Sequence, residues 1–426
     1  MRSLDWESKR ALLAVRAVSM VFGLLRTLVT IRLLAVQDYA LIGIAEGVRQ
    51  MIATFTSLGV AESLIREGAA AEDSGEVPLQ LSAAYGWGLA LTGVSALATL
   101  VVVLFTDRFG SDYGLQGLLI LTIAVSFFER NANYATSSAR ALHQVKPYVL
   151  VQILQSVWTL VLSAWLTWQF GVTGYFVATC LGLALAWAAM HVVVTRKVGF
   201  PMLRVAGAAF MNSSRTLWGM SWYVYWQKNA QNACDQLPFL VGSTVLPREV
   251  VGVVAIGLDL ARRLNTINQA VLVTTVARMT QVFTRERTSF ATRAWRELRE
   301  ITAINCGAAI AAFAGFLILG PALLGSRFEP VLWPFLILLV AQLASAVGRM
   351  TMNVVFMPAR NLDPGLTWAV AGIAAVGATT TWGLAHAAIA PVLVVPLAML
   401  LTSVLLFAAM MTGAVRVIRS EERPRA

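Results

Sequence analysis

Residues 215–241, RTLWGMSWYVYWQKNAQNACDQLPFLV, decide the class of this chain. The stretch is long enough and apolar enough to cross a membrane, yet its middle carries Lys228, Asn229, Gln231, Asn232 and Asp235. Lys228, Gln231, Asn232 and Asp235 fall at i, i+3, i+4 and i+7, so a helix puts all four on one face. Trp218, Trp222 and Trp226 make a second stripe at i, i+4 and i+8. A charge near the bilayer centre costs at least ~2.5–3.5 kcal/mol. The polar face therefore looks at other helices or at a wet cavity, not at lipid. Two readings stay open: amide side chains that bind helix to helix, and a cavity wall for polar or charged cargo, with the tryptophans as its aromatic lining.

The composition agrees with a membrane chain. Of 426 residues, 58% are hydrophobic and 13% charged, where a soluble domain has about 25% charged. Mean hydropathy is +0.70. The net charge of +11 reads as the basic bias of cytoplasmic loops, not as nucleic-acid binding. Cys180, Cys234 and Cys306 stand singly in apolar stretches, without disulfide or metal spacing. Arginines interrupt the first apolar segment and no evident A-x-A site follows it, so no cleavable signal is expected.

A span needs about 20 residues. The candidates are 11–34, 40–64, 81–105, 114–137, 148–169, 172–194, 214–242, 249–280, 300–324, 330–356, 366–387 and 391–415. Gly171–Gly174 and Ala387–Ala390 read as tight turns. The longest links, 66–80, 195–213 and 281–299, fall on one side if the spans alternate. That side also takes Lys9, Arg10, Arg140, Lys146, Arg196, Lys197, Arg293, Arg296, Arg360, Arg416 and Arg419. The other side holds Arg108, Arg248 and Arg327. The asymmetry puts both termini in the cytoplasm and supports an even number of spans. The links 195–213 and 281–299 mix basic and apolar residues. Each reads as an amphipathic connector on the membrane surface or as a solvated helical linker.

The halves of the chain echo each other. Glu46 with Arg49 matches Asp259 with Arg262 at an offset of 213, and Arg130 matches Arg349 at 219. The expected organisation is an N-terminal six-helix bundle at 1–200, a cytoplasmic connector at 201–213 and a C-terminal six-helix bundle at 214–426. Parallel repeats facing a central site are a transporter architecture.

Charges inside the spans carry the chemistry. By the helical rise, Arg26 lies about 12 Å, and Glu46 about 10 Å, from the outer ends of their spans. Arg26, Glu46 and Arg49 form one expected cluster. Lys228 and Asp235 bracket Asp259 in depth and approach Arg262 and Arg263. Glu129 pairs with Arg130, and Arg349 matches it in the second half. Neighbouring acids neutralise some bases, as Glu46–Arg49 and Asp259–Arg262 would. Bases still outnumber acids, which points to an anionic cargo. Arginine suits phosphate, which it grips with two parallel hydrogen bonds.

The opening segment then resembles a known family. Arg32-Leu33-Leu34 leading to Asp38-Tyr39, the run Ser57–Arg66 (SLGVAESLIR), and Ala139-Arg140-Ala141-Leu142 before Pro147 are similar to motifs of oligosaccharide flippases. These are the Wzx-type O-antigen and exopolysaccharide transporters of the multidrug/oligosaccharidyl-lipid/polysaccharide exporter superfamily. The resemblance implies an all-α integral membrane fold, about twelve transmembrane helices in two MATE-like six-helix bundles, working by alternating access. It implies a cavity lined largely by spans one, two, seven and eight. It implies an undecaprenyl-diphosphate-linked glycan as cargo, flipped across a bacterial inner membrane. Polysaccharide polymerase and glycosyltransferases are the expected partners, alongside the lipid bilayer and without nucleic acid. The substrate pathway expected from charge and resemblance together is Arg26, Glu46, Arg49, Arg130, Lys228, Asn232, Asp235, Asp259, Arg262, Arg263 and Arg349, with Trp218, Trp222 and Trp226 as aromatic lining. No cofactor or metal is expected beyond a coupling cation, H+ or Na+, at Asp235 or Asp259. An ion-coupled drug or small-molecule exporter of the same superfamily is the alternative. A membrane polymerase or ligase is the third reading. It is disfavoured by short outer loops and by the absence of HExxH, GxSxG or a nucleotide-binding glycine loop.

Overall fold

The computed structural model describes residues 6–55, 113–141, 145–198, 208–263, 278–284, 286–359 and 364–422, with a few single positions between 86 and 100 and at 275. The flippase-like run 57–66, most of the expected third span and the second half of the eighth lie outside the described residues. The described chain is helical. Its helices are α1 (Trp6–Leu33), α2 (Val36–Phe55), α3 (Tyr113–Ala141), α4 (Val145–Val198), α5 (Ala208–Val245), α6 (Arg248–Arg262), α7 (Phe290–Leu324), α8 (Phe328–Thr351), α9 (Pro364–Ala385) and α10 (Pro391–Glu422).

Four continuous helical stretches are long and apolar enough to cross a membrane: Pro147–Arg196, Arg287–Ala359, Pro364–Ala385 and Pro391–Ser420. The first two run for 50 and 73 residues. At 1.5 Å per residue that is about 75 and 110 Å, against a hydrocarbon core of about 30 Å, so each holds two crossings. The first reverses at Gly171, where φ is 58° and ψ −136°, a backbone region that glycine alone enters cheaply. The second reverses at Gly325, with φ 59°. Intramembrane charges on α1, α2, α3, α5 and α6 lower the hydropathy of those helices.

The helices bear on two of the links. Residues 208–213 of the expected connector are the start of α5, and 199–207 lie outside the described residues. Of the two readings of 281–299, the helices follow the helical linker rather than the surface-lying connector. Residues 278–284 are helical, a short turn follows at Arg287–Ser289, and α7 runs unbroken from Phe290. Its apolar residues Phe290, Ala294, Leu298 and Ile301 are buried in protein and so cannot enter lipid, while Arg293, Arg296 and Arg299 stay exposed.

By packing, the chain forms two compact units. One comprises Met1–Leu34 and Val48–Asn229, the other Ala35–Gly47 and Ala230–Ala426. Helices α2 and α5 thus contribute residues to both.

In the first unit, α4 packs against α1 and α3. Tyr148 and Phe176 are fully buried, and Phe127, Phe128 and Trp187 meet with ring centroids 5.4–6.3 Å apart. In the second unit, α8 packs against α6, α7 and α10, and α9 against α10. Small residues permit close approach, as they do where helices associate in lipid. A Cβ at Gly43 would stand 2.6 Å from Ala255 Cβ and 2.9 Å from the Phe239 ring. After Thr351 the backbone widens into a π-helical turn, Met352–Phe356, a local rearrangement that often sits at functional positions.

Candidate functional site

Each unit holds its own set of intramembrane charges. In the first unit, Arg26 projects from α1 onto α4. Its Nη2 donates to Thr179 Oγ1, and its guanidinium lies 4.3 Å from the centroid of the Tyr175 ring. Thr179 and Tyr175 are one helical turn apart, so α4 presents them as one cradle. Both partners are neutral. Arg26 is therefore an intramembrane cation held by a hydroxyl and a π face, with no carboxylate against it among the described residues.

Arg49 pairs with Glu129 of α3. Arg130 is buried, and its Nη2 donates to Ile52 O at 3.1 Å. The expected Glu129–Arg130 pair thus gives way. Adjacent positions on a helix point about 100° apart and need not turn their charged tips together. Long side chains instead reach the facing helix. Trp222, Tyr225 and Trp226 make an aromatic ladder on α5: Trp222 stacks on Tyr225 at 5.8 Å and meets Trp226 edge-on at 5.5 Å. Nothing is described of the Trp218 side chain. Lys228 is half-buried.

In the second unit, Asp235 is the centre. It is 4% exposed. Its Oδ2 pairs with Arg349 Nη1 of α8 at 2.9 Å, and its Oδ1 accepts from Ser345 Oγ at 2.9 Å. Arg262 Nη2 donates to Gln236 Oε1 at 2.7 Å, and the carboxylates of Asp235, Glu46 and Asp259 act on its charge. Asp259 accepts from the Tyr39 hydroxyl at 2.8 Å and pairs with Arg263 at 3.1 Å. The expected Asp259–Arg262 pair is thus replaced by Asp259–Arg263. The i+4 spacing keeps Arg263 over Asp259, while Arg262, 100° around the helix, reaches α5. Likewise Asp235 takes Arg349 as its ionic partner.

The polar face of α5 divides between both readings of it. Gln231, Asp235 and Gln236 are buried against protein, with Gln231 Nε2 3.6 Å from Met410 Sδ. Lys228 and Asn232 are half-buried. Sequence reasoning missed Thr179, Tyr175, Ser345, Gln236 and Tyr39. Ser345 was findable, because it stands one turn before Arg349 on the same face. Thr179 carried no signal, since threonine is common in membrane helices. Among the described residues, no group of three His, Cys, Asp or Glu side chains converges to hold a metal.

No family model and no curated protein sequence matches this chain. Solved structures do. An inward-facing multidrug resistance MATE family transporter of the MOP superfamily aligns over 97% of this chain and 100% of its own, with TM-score 0.69 and 14% identity. A eukaryotic MATE transporter aligns over 97% and 96%, with TM-score 0.76 and 11% identity. A MOP superfamily transporter from Pyrococcus furiosus aligns over 98% and 97%, with TM-score 0.66 and 15% identity; its binding pocket is described as having reversed polarity, suggesting a different function. At these identities the likeness is one of fold, and this chain has the twelve-helix, two-lobe membrane fold of the MATE transporters.

Proposed function

We propose that this chain is a membrane transporter that exports small amphiphilic molecules carrying negative charge, by alternating access. The observation that carries the reading is Arg26, an intramembrane guanidinium held by neutral partners. An uncompensated cation at that depth costs several kcal/mol, and an anionic cargo group would offset the cost. Export of small molecules draws more support from the comparisons than glycan flipping does, since the neighbours above that are named for an activity are multidrug transporters. The charge balance narrows the cargo, because buried arginines repel cationic drugs.

A narrower reading is an undecaprenyl-diphosphate-linked oligosaccharide, flipped at a bacterial inner membrane beside a polymerase and glycosyltransferases. It rests on the motifs at Arg32–Tyr39 and Ser57–Arg66 and on the fit of arginine to diphosphate. Asp235 or Asp259 is the proposed site where a coupling H+ or Na+ competes with an arginine.

The test is transport into proteoliposomes of a matched pair of fluorescent amphiphiles, one sulfonated and one quaternary ammonium. Preference for the sulfonated probe, lost in Arg26→Gln, supports the reading. Equal transport of both, or preference for the ammonium probe, sinks it. A deletion strain separates the narrower reading: a lipid-linked oligosaccharide trapped on the cytoplasmic face marks a flippase, and normal polymer marks an exporter.

A further inference from the structure

Between Ile301 and Leu324 helix α7 carries no charged residue. By the helical rise that stretch is about 36 Å long, one crossing of a hydrocarbon core of about 30 Å. Arg299 and Arg296 precede Ile301 by about 3 and 8 Å, which is the depth of lipid headgroups. Trp295 beside them is half-buried, and tryptophan favours that interface. Both arginines are exposed. They stand three residues apart, so one helix face holds two like charges that repel each other.

The nearby acids are engaged elsewhere. Glu297 lies between the two arginines in sequence but turns inward, is 8% exposed and pairs with Arg278. Glu300 is exposed, and its charge also acts on Arg278. Glu286 pairs with Arg293 and accepts from the Ser289 hydroxyl. Arg296 and Arg299 make no ion pair among the described residues. In line with them, Ala303, Gly307, Ile310, Ala314 and Leu317 are exposed as well. At about 100° per residue, all seven fall within an arc of about 80°. Small side chains give this face a shallow channel. A Cβ at Gly307 would meet nothing within 4 Å, Ala303 and Ala314 flank it, and Ile310 and Leu317 stand along one side.

We infer that the start of α7 seats one anionic phospholipid. Its phosphate bridges Arg296 and Arg299, which relieves their repulsion, and one acyl chain lies along Ala303, Gly307 and Ala314. Arginine grips phosphate with parallel hydrogen bonds. A zwitterionic lipid brings the same phosphate but sets its own ammonium against the arginines. The occupant is a lipid rather than a free anion, because the basic end runs on into an apolar channel at membrane depth. Bound there, the lipid ties α7 to the leaflet that the charge asymmetry assigns to the cytoplasm. The seat depends on the membrane fold, not on the nature of the cargo.

The test is native mass spectrometry of the full chain in detergent, titrated with dioleoyl phosphatidylglycerol or dioleoyl phosphatidylcholine. The anionic lipid is expected to bind about thirtyfold tighter, the effect of two arginines at an anionic headgroup. Arg296→Gln combined with Arg299→Gln brings that ratio close to one. Arg416→Gln combined with Arg419→Gln removes a comparable exposed pair near the end of α10 and leaves the ratio unchanged. Gly307→Leu fills the channel and weakens both lipids, and glycerol phosphate, a headgroup without chains, does not displace the bound lipid. A ratio near one in the unaltered chain, or no change in the α7 glutamine pair, overturns the seat. An equal loss from the α10 pair overturns it too, since the attraction is then diffuse. Displacement by glycerol phosphate, or unaltered binding in Gly307→Leu, overturns the acyl channel and assigns the arginines to a free anion. The same spectra read the oligomeric state: a lipid-free dimer abolished by the α7 glutamine pair gives this face to a second copy instead.

Discussion

Replacing Arg349 by glutamine is expected to destabilise this protein more than replacing Asp235 by asparagine, and making both changes is expected to be milder than the first alone. The pair is separated by 2.9 Å. At an effective dielectric of about 20, the attraction is about 6 kcal/mol before desolvation is subtracted. The two sides are unequally buried: the Asp235 side chain is 6% exposed and Arg349 31%. Arg349→Gln strands a buried carboxylate whose remaining partner among the described residues is the Ser345 hydroxyl. Stranding a buried charge costs about 3–5 kcal/mol. Asp235→Asn strands a guanidinium with one edge open, which loses about 1–2 kcal/mol of charged hydrogen bonding. In the double variant two neutral amides face each other, and no charge is left behind. The assay is heat challenge of the detergent-solubilised chain, with the folded fraction read by size-exclusion fluorescence. The decisive comparison is the double variant against Arg349→Gln. A double variant equal to or below that single in midpoint would refute the reasoning, because the carboxylate would then not be what the arginine neutralises.

Three further outcomes follow from individual contacts. Gly43→Ala forces a Cβ to within 2.6 Å of Ala255 Cβ, so it is expected to cost about 1–3 kcal/mol of overpacking; adding Ala255→Gly should recover much of it, and no recovery in the same heat challenge would count against the close α2–α6 approach. Gly171→Ala meets no neighbour within 4 Å, so its expected loss of about 1–3 kcal/mol is pure backbone strain. Gly171→Asn should fare no better, because ψ of −136° is outside the left-handed helical region that asparagine tolerates; an asparagine variant as stable as the parent would overturn that account. Arg26→Lys should retain part of the preference for the sulfonated probe, since the ammonium keeps the charge but loses the planar contact with Tyr175; full loss would show that geometry, not charge, carries the selectivity.

The membrane class, the helical fold and the tight turns at Gly171 and Ala387–Ala390 follow from composition, span length and turn residues, all local properties. So did the polarity of α5, because no charged face at that depth can meet lipid. The list of intramembrane cations was legible for the same reason. Their partners were not. Arg49 and Glu129, and Asp235 and Arg349, are far apart in the chain, and their meeting depends on which helices face one another. Sequence spacing favoured Asp259–Arg262, since short-range neighbours are the only contacts a linear pattern can show. The tertiary structure turned Arg262 to Gln236 on α5 and left Arg263, one turn on, over Asp259. It likewise separated Arg26, cradled by Thr179 and Tyr175, from the arginines that carboxylates neutralise. That distinction turns a count of charges into a statement about cargo, and it exists only once α1 lies against α4.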